Sequence, residues 1–292
     1  MTAERGISLN MNKPTLSKLS PNLRKHIVPE GIPPHGTLSA GVQRSKTPVS
    51  AFAERTLNHC NGGATLAAAQ WLKQHLANGG KLVVTIAGAL SSFQVGVMLA
   101  ELIRKDKVHL VSATAANHEE SYYRYVAHSH YAYIPHYTEL TREQEAELRD
   151  AGLRRITDTF LPEDESVRIM EPHLLTMWKD AQKKGERYYP HEYFRRLFSE
   201  GLIKPDTGAN VDDCWAYAAY KKNIPIVIPG FEDSTMGNIF ASYCYDGKHR
   251  KDNGPRLDPM IMKTGLEYFG LMYDWYMDAA KKSPIAFLQL GG

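Results

Sequence analysis

The sequence predicts an α/β fold: a mostly parallel β-sheet with helices on both faces. Three observations predict it. Short, very apolar runs alternate along the chain with longer segments of helical periodicity. Two of those runs, Val111–Ser121 (VSATAANHEES) and Asn223–Phe240 (NIPIVIPGFEDSTMGNIF), pass without a break into small-residue turns that carry carboxylates. Finally, the segment joining Lys81–Ala87 to Val108–Ala113 has the length of a strand–helix–strand crossover. In a sheet covered on both faces, turns of this kind stand at the carboxyl edge of parallel strands, where such folds bind ligands. Two of them point to a nucleotide site, and so to an enzyme.

The elements follow in order. Residues 1–46 are rich in Pro, Ser, Gly and Lys, and Pro29, Pro33 and Pro34 oppose regular structure, so an N-terminal arm is expected, ordered only against another surface such as a neighbouring subunit. Helices are expected over Pro48–His59 and Ala64–Ala77, the second ended by Gly79-Gly80. Lys81–Ala87 (KLVVTIA) reads as a buried strand, and Gly88 turns the chain into a helix from Leu90 to Lys105. After the strand Val108–Ala113 come helices near Glu119–His128, Arg142–Ala151, Glu171–Lys184, His191–Glu200 and Asn210–Lys221. Ile224–Pro229 and Ile285–Leu290 are the remaining strands, with a helix over Pro259–Lys282 between them. Residues 47–292 then form a single domain.

Composition narrows the class. The chain has 292 residues, 43% hydrophobic and 23% charged, which suits a globular core. A net charge of +3 with no long basic run argues against nucleic acid. No apolar stretch approaches the roughly 20 residues of a membrane span, and the N-terminus lacks a signal-peptide pattern. Three widely spaced cysteines, Cys60, Cys214 and Cys244, fit a reducing cytoplasm and no metal-binding spacing. A cytoplasmic protein that binds neither membrane nor nucleic acid is the expectation.

Several constellations carry chemistry. In Thr85–Ser92 (TIAGALSS), Gly88 and Ala89 would let backbone N–H groups approach a pyrophosphate at a helix N-terminus, although an ordinary tight turn has the same composition. Past the turn Thr114-Ala115-Ala116, Glu119-Glu120 could accept both ribose hydroxyls of a dinucleotide, or simply favour a helix's first turn. Asp233, in Pro229–Asn238 (PGFEDSTMGN), could bind a cofactor or a cationic substrate; Asp233 or Ser234 could equally cap a helix starting at Thr235. Tyr122–Tyr137 (YYRYVAHSHYAYIPHY) reads first as an aromatic subunit interface, with cation–π recognition of an ammonium as an alternative and a metal site on His128 and His130 as a weak one. Cys214 reads as an inert core thiol. No nucleophile elbow or Walker loop is present.

Taken together and in order, four segments resemble the deoxyhypusine synthase family, and more closely its bacterial relatives. Thr114–Glu120 (TAANHEE) resembles its TAGG-x-EE turn, and Arg154–Pro162 (RRITDTFLP) its N-R-I-G-N-hydrophobic-P stretch. Asn223–Phe240 resembles its (N/H)IP(V/I)-x-x-P-x-x-x-D-(G/S)-x-x-G-(D/N) segment, and Leu288–Gly292 (LQLGG) the entrance to its glycine-rich loop. The resemblance covers roughly Leu82 to the C-terminus. It implies a Rossmann-like NAD-binding domain behind an N-terminal helical arm, and a homotetramer with active sites shared between subunits. It also implies NAD-dependent oxidation of spermidine or a related polyamine, with the butylamine group passed to an amine acceptor, possibly putrescine.

Carried over residue by residue, Gly88, Ala89, Leu90 and Ser91 would border the pyrophosphate. Thr114, Ala115, Glu120, Asp233 and Gly291 would also contact NAD, and Glu119 and Asn238 the substrate amine; no metal is implied. The chain departs from the pattern at three places: Asn238 replaces an aspartate, Ala89 an asparagine, and Ala116-Asn117 two glycines. The family's catalytic lysine would lie beyond Gly292, so a fragment of a longer protein is expected, with no catalytic residue within these residues. The alternatives are an inactive NAD-binding homologue that scaffolds or activates a partner, and an unrelated Rossmann dehydrogenase.

Overall fold

The computed structural model describes residues 14–27, 49–57, 59–245 and 255–291. Its elements in chain order begin with two single-turn helices, α1 (Pro14–Ser17) and α2 (Pro21–Arg24), then α3 (Val49–Thr56), α4 (Cys60–Ala77), β1 (Lys81–Ile86), α5 (Gly96–Arg104), β2 (Leu110–Ala113) and α6 (Ala115–Ala127). Next come β3 (Ala132–Tyr133), α7 (Arg142–Asp150), β4 (Leu153–Ile156), β5 (Thr159–Pro162), α8 (Val167–Lys184) and α9 (Pro190–Ser199). The chain continues through α10 (Trp215–Lys222), β6 (Ile226–Val227), α11 (Thr235–Cys244), α12 (Gly265–Ala280) and β7 (Ile285–Leu290). No helix among the described residues is long and apolar enough to cross a membrane.

The main sheet has four parallel strands in the order β6-β2-β1-β7. Val83, Val84 and Leu110, Val111 are fully buried, so β1 and β2 are covered on both faces, as continuous apolar runs require. β7 is an edge strand and leaves Phe287 half exposed. The chain steps from β1 to β2 to β6 in one direction and then returns to the far side of β1 for β7. That reversal is the kind of point at which open α/β sheets leave a crevice beyond the carboxyl ends of their strands.

A second sheet, antiparallel in the order β3-β5-β4, is absent from the sequence reading. Its strands are two to four residues long, and β5 is buried throughout while β4 is buried only at Leu153, so no alternation betrays them. A tight turn joins β4 to β5 with Thr157 in the left-handed region (φ 55°). Residues 14–27 dock here. Leu16, Leu19, Leu23 and Ile27 join Leu148, Leu153 and Phe160 in a separate small core, and Ser20 Oγ donates to Glu147 at 3.1 Å. The surface that orders this part of the N-terminal segment is therefore the chain's own; residues 1–13 and 28–48 lie outside the described residues.

Two helix boundaries differ from expectation in ways that matter. The helix expected from Leu90 begins only at Gly96, because residues 89–95 close a separate turn (Phe93 N–H to Ala89 C=O, 3.1 Å; Val95 N–H to Leu90 C=O, 2.9 Å) with Gln94 left-handed at φ 63°. The helix expected from Glu119 begins at Ala115, capped by Thr114, so Glu119 and Glu120 stand in its second turn rather than ahead of it.

Candidate functional site

The carboxyl edge of the main sheet is built from the exits of β1, β2, β6 and β7. Leaving β1, Gly88 is left-handed (φ 71°), and the N–H groups of Gly88, Ala89 and Leu90 have no acceptor among the described residues. Gly291, leaving β7 at φ 79°, lies so close that a Cβ there would run into the Ala87 carbonyl. Only glycine permits that approach.

One face of α6 holds the β1 exit in place. Asn117, Glu120 and Arg124 are spaced three and four residues apart, so they share that face. Asn117 Oδ1 accepts the Ser91 N–H at 3.0 Å, while its Nδ2 donates to the Gly88 carbonyl and, at 2.8 Å, to Thr114 Oγ1. Glu120 Oε2 accepts the Ser92 N–H at 3.1 Å, and Arg124 donates to the Ser92 carbonyl while its guanidinium stacks 3.6 Å over Tyr131. Gly88 C=O points at Asn117; in a planar trans peptide the N–H of Ala89 points the opposite way, away from α6.

Glu119 reaches in another direction. Its two carboxylate oxygens accept the N–H groups of Thr235 (2.8 Å) and Met236 (2.9 Å), the first residues of α11. Ser234 caps the same helix, accepting the Gly237 N–H at 3.0 Å, so α11 starts at Thr235 as the sequence indicates. A carboxylate on a helix N-terminus is favoured both by the unpaired N–H groups and by the dipole. This contact binds the turn after β2 to the turn after β6, and the two acidic turns meet.

Between them opens a cavity of about 710 Å³, bordered by Glu119, Glu120, Asp233 and Asn238 from α6 and the start of α11, and by Arg154, Glu163 and Arg168 from β4, the end of β5 and the start of α8. Tyr123, Leu161, Val167 and Ile239 supply apolar lining. Its size suits a small-molecule ligand. Burial pushes the Glu120 carboxyl up to about 7, against the Ser92 N–H that favours its charged form. Glu119 is raised in the same direction by burial, opposed by its two helix N–H bonds. Asn238 donates to the carbonyls of Ser234 (2.7 Å) and Glu232 (3.2 Å).

The sequence-derived residues thus fall in two adjoining groups. Gly88–Ser91, Thr114 and Gly291 gather where β1 meets β7; Glu119, Glu120, Asp233 and Asn238 gather at β2 and β6, and Asn117 and Glu120 link the two. Arg154, Arg168 and their shared partner Glu163 were not singled out. Arg154 stands in the RRITDTFLP stretch, but nothing in a sequence says that a β4 side chain and an α8 side chain face one cavity.

The tyrosine-rich segment needs correcting. Tyr122, Tyr123, Tyr125 and Tyr131 are buried inside the chain's own core, with Tyr122 stacked on Phe198 (4.5 Å between ring centres), so these rings do not form a subunit interface. Their helix is covered by α9 and α10, which a linear pattern cannot reveal. His130 Nδ1 lies 3.7 Å from Glu165, and no group of three metal-ligating side chains occurs among the described residues. Cys214 is a core thiol, pushed up to about 11 by burial and bonded to Ser121 Oγ at 3.3 Å.

Comparison with known proteins agrees with these features. The family model for deoxyhypusine synthase matches residues 57–261. The deoxyhypusine synthase-like protein of Elusimicrobium minutum is 25% identical over 163 residues, 56% of this chain and 40% of that protein. The deoxyhypusine synthase of Arabidopsis thaliana is 28% identical over 137 residues, 43% of this chain and 35% of that one. A solved structure of a candidate deoxyhypusine synthase from Entamoeba histolytica overlays 73% of this chain and 60% of its own at 13% identity, with a TM-score of 0.44, too low to carry an argument. The chain matches between 28% and 42% of the length of the first curated relatives. With the family model spanning most of its sequence, this chain belongs to the deoxyhypusine synthase family.

Proposed function

We propose that the chain supplies the cofactor and amine sites of an NAD-dependent aminobutyl transferase, Rossmann-like in its NAD-binding topology. The observation that carries this reading is the Glu119 contact with α11, which brings both acidic turns onto one cavity. The residues present fit NAD: three consecutive N–H groups, Gly88–Leu90, lack an acceptor among the described residues, and a left-handed glycine and the close approach of Gly291 flank them. Gly88, Ala89, Leu90 and Ser91 would border its pyrophosphate, Thr114, Ala115 and Gly291 would also contact the cofactor, and Glu120 would hold a ribose. Held by these residues, NAD would supply the hydride acceptor for the carbon beside the substrate amine.

The chain's own residues do the rest. Asp233, an exposed carboxylate bordering the cavity, attracts the ammonium, and Glu120 holds the ribose through the carboxylate oxygen not used by Ser92. Leu161, Val167 and Ile239 keep water from the oxidised carbon, which hydrolyses readily. The donor is a polyamine or a related amine and the acceptor a second small amine, in a cytoplasmic homotetramer. A second reading is an NAD-binding scaffold or activating subunit: among the described residues, those that line the cavity include no lysine.

The test is direct. Purified protein is expected to release NAD on denaturation, and Glu120→Ala to lose most of it; equal NAD in both would overturn the ribose assignment. Formation of a new polyamine from donor and acceptor amines, with NAD regenerated, supports the transferase; net reduction of NAD would mark a dehydrogenase, and tight NAD with no turnover of any diamine or polyamine leaves the scaffold.

A further inference from the structure

The two walls of the cavity differ in sign. Arg154, from β4, and Arg168, from the first turn of α8, share Glu163, and Arg168 also pairs with Glu171 at 2.6 Å. The arginine side chains are 48% and 49% exposed, but Glu163 and Glu171 only 14% and 17%. Glu171 is held further back by Tyr243 (Oη to Oε1, 3.0 Å). Glu163 borders the cavity together with both arginines, which leaves this wall with one net positive charge, and the guanidinium groups are its more exposed members.

Across the cavity, Glu119 is committed to the α11 N-terminus, and Asp233 remains as an exposed carboxylate with Glu120 beside it. Two residues act in one direction here. Asn238, a departure from the family pattern, removes a negative charge and Arg154 contributes a positive one; both border the same cavity. A polycation crossing this space would meet guanidinium at its far end, and like charges at contact distance are costly in a partly desolvated site. A carboxylate placed there would instead find planar donors of matching geometry.

Resting on the amine-binding reading above, we propose that the substrate amine is dipolar: a primary ammonium toward Asp233 and a carboxylate toward Arg154 and Arg168, as in a diamino acid. The chemistry is tested with pairs differing only in the carboxylate, ornithine against putrescine and lysine against cadaverine, by calorimetry on the purified chain, with NAD titrated separately. The amino acid of each pair is expected to bind about tenfold more tightly or better. Arg154→Asn and Arg168→Gln should each remove most of that preference while leaving NAD affinity unchanged, and Asn238→Asp should shift it toward the diamine. Equal or tighter binding of the diamines by the wild type overturns the proposal. So does a loss of NAD affinity in the arginine variants with the amine preference intact, which would assign the guanidinium groups to the cofactor phosphates. NAD binding without binding of either amine class overturns the dipolar substrate and spares the cofactor reading; amino acid preference without NAD binding does the reverse.

Discussion

Replacing Glu120 by Gln should make the protein more stable, and increasingly so as pH rises. The carboxyl is 6% exposed and its folded-state value is displaced from 4.5 to about 7, chiefly by burial. A raised carboxyl favours the protonated native state, so its contribution to stability is fully present below about 4.5 and is lost as pH rises through about 7. The window spans about 2.5 pH units, equivalent to roughly 3 kcal/mol, an upper limit because Glu119 titrates beside it. Gln keeps an oxygen for the Ser92 N–H and never ionises. Urea unfolding at pH 5, 6, 7 and 8 should therefore show a difference, variant minus wild type, that grows by about 1–3 kcal/mol and levels off above pH 7. Taking the difference cancels the histidines, which titrate alike in both proteins. A difference that stays flat with pH would refute the reasoning, since Glu120 would then ionise as it does in the unfolded chain. Growth of the predicted size would mark a carboxylate kept at the expense of stability, the signature of a site group.

Three further outcomes follow from the geometry. Glu119→Ala leaves the buried Met236 N–H and the part-buried Thr235 N–H without a partner and should lower stability by about 2–4 kcal/mol, with Glu119→Gln intermediate; a loss below about 1 kcal/mol in chemical unfolding would deny the link between the two turns. His118 lies in an aromatic cage of Tyr122, Phe194 and Trp215 with Nε2 unpartnered among the described residues, and burial holds it well below its ordinary value. Its neutral form is retained in the folded state, so stability falls as pH drops below about 6.5, and His118→Phe should gain about 2 kcal/mol on wild type between pH 7 and pH 5; parallel pH curves would contradict this. Gly291→Ala combines a left-handed backbone with a clash against the Ala87 carbonyl and should cost about 1–3 kcal/mol, read as a lowered melting temperature; an unchanged one would mean the β1–β7 edge relaxes freely.

Legibility differed by the range over which each feature is determined. Lys81–Ala87 is legible as a strand because its doubly covered positions Leu82, Val83, Val84 and Ile86 are all apolar, Ile285–Leu290 because it is a short, largely apolar run ended by Gly291, and the start of α11 because Ser234 caps it within three residues. Leu90–Val95 was misread as helix: Gln94 adopts a left-handed conformation that the surrounding bonds impose and that no propensity favours. The hairpin of β4 and β5 was missed because its two strands are too short for a period to register.

Alone, the sequence determined the α/β class, the acidic turns and the family, since each rests on residues adjacent along the chain. Tertiary structure decided what those turns do. Glu119 and Glu120 are neighbours at the cavity edge, yet one binds the N-terminus of α11 and the other the turn after β1; the tyrosines that suggested an interface became core; and Arg154 and Arg168 share Glu163 at one cavity. Each depends on which distant element packs opposite, and burial, hydrogen-bond partners and the sign of a cavity wall are properties of that packing.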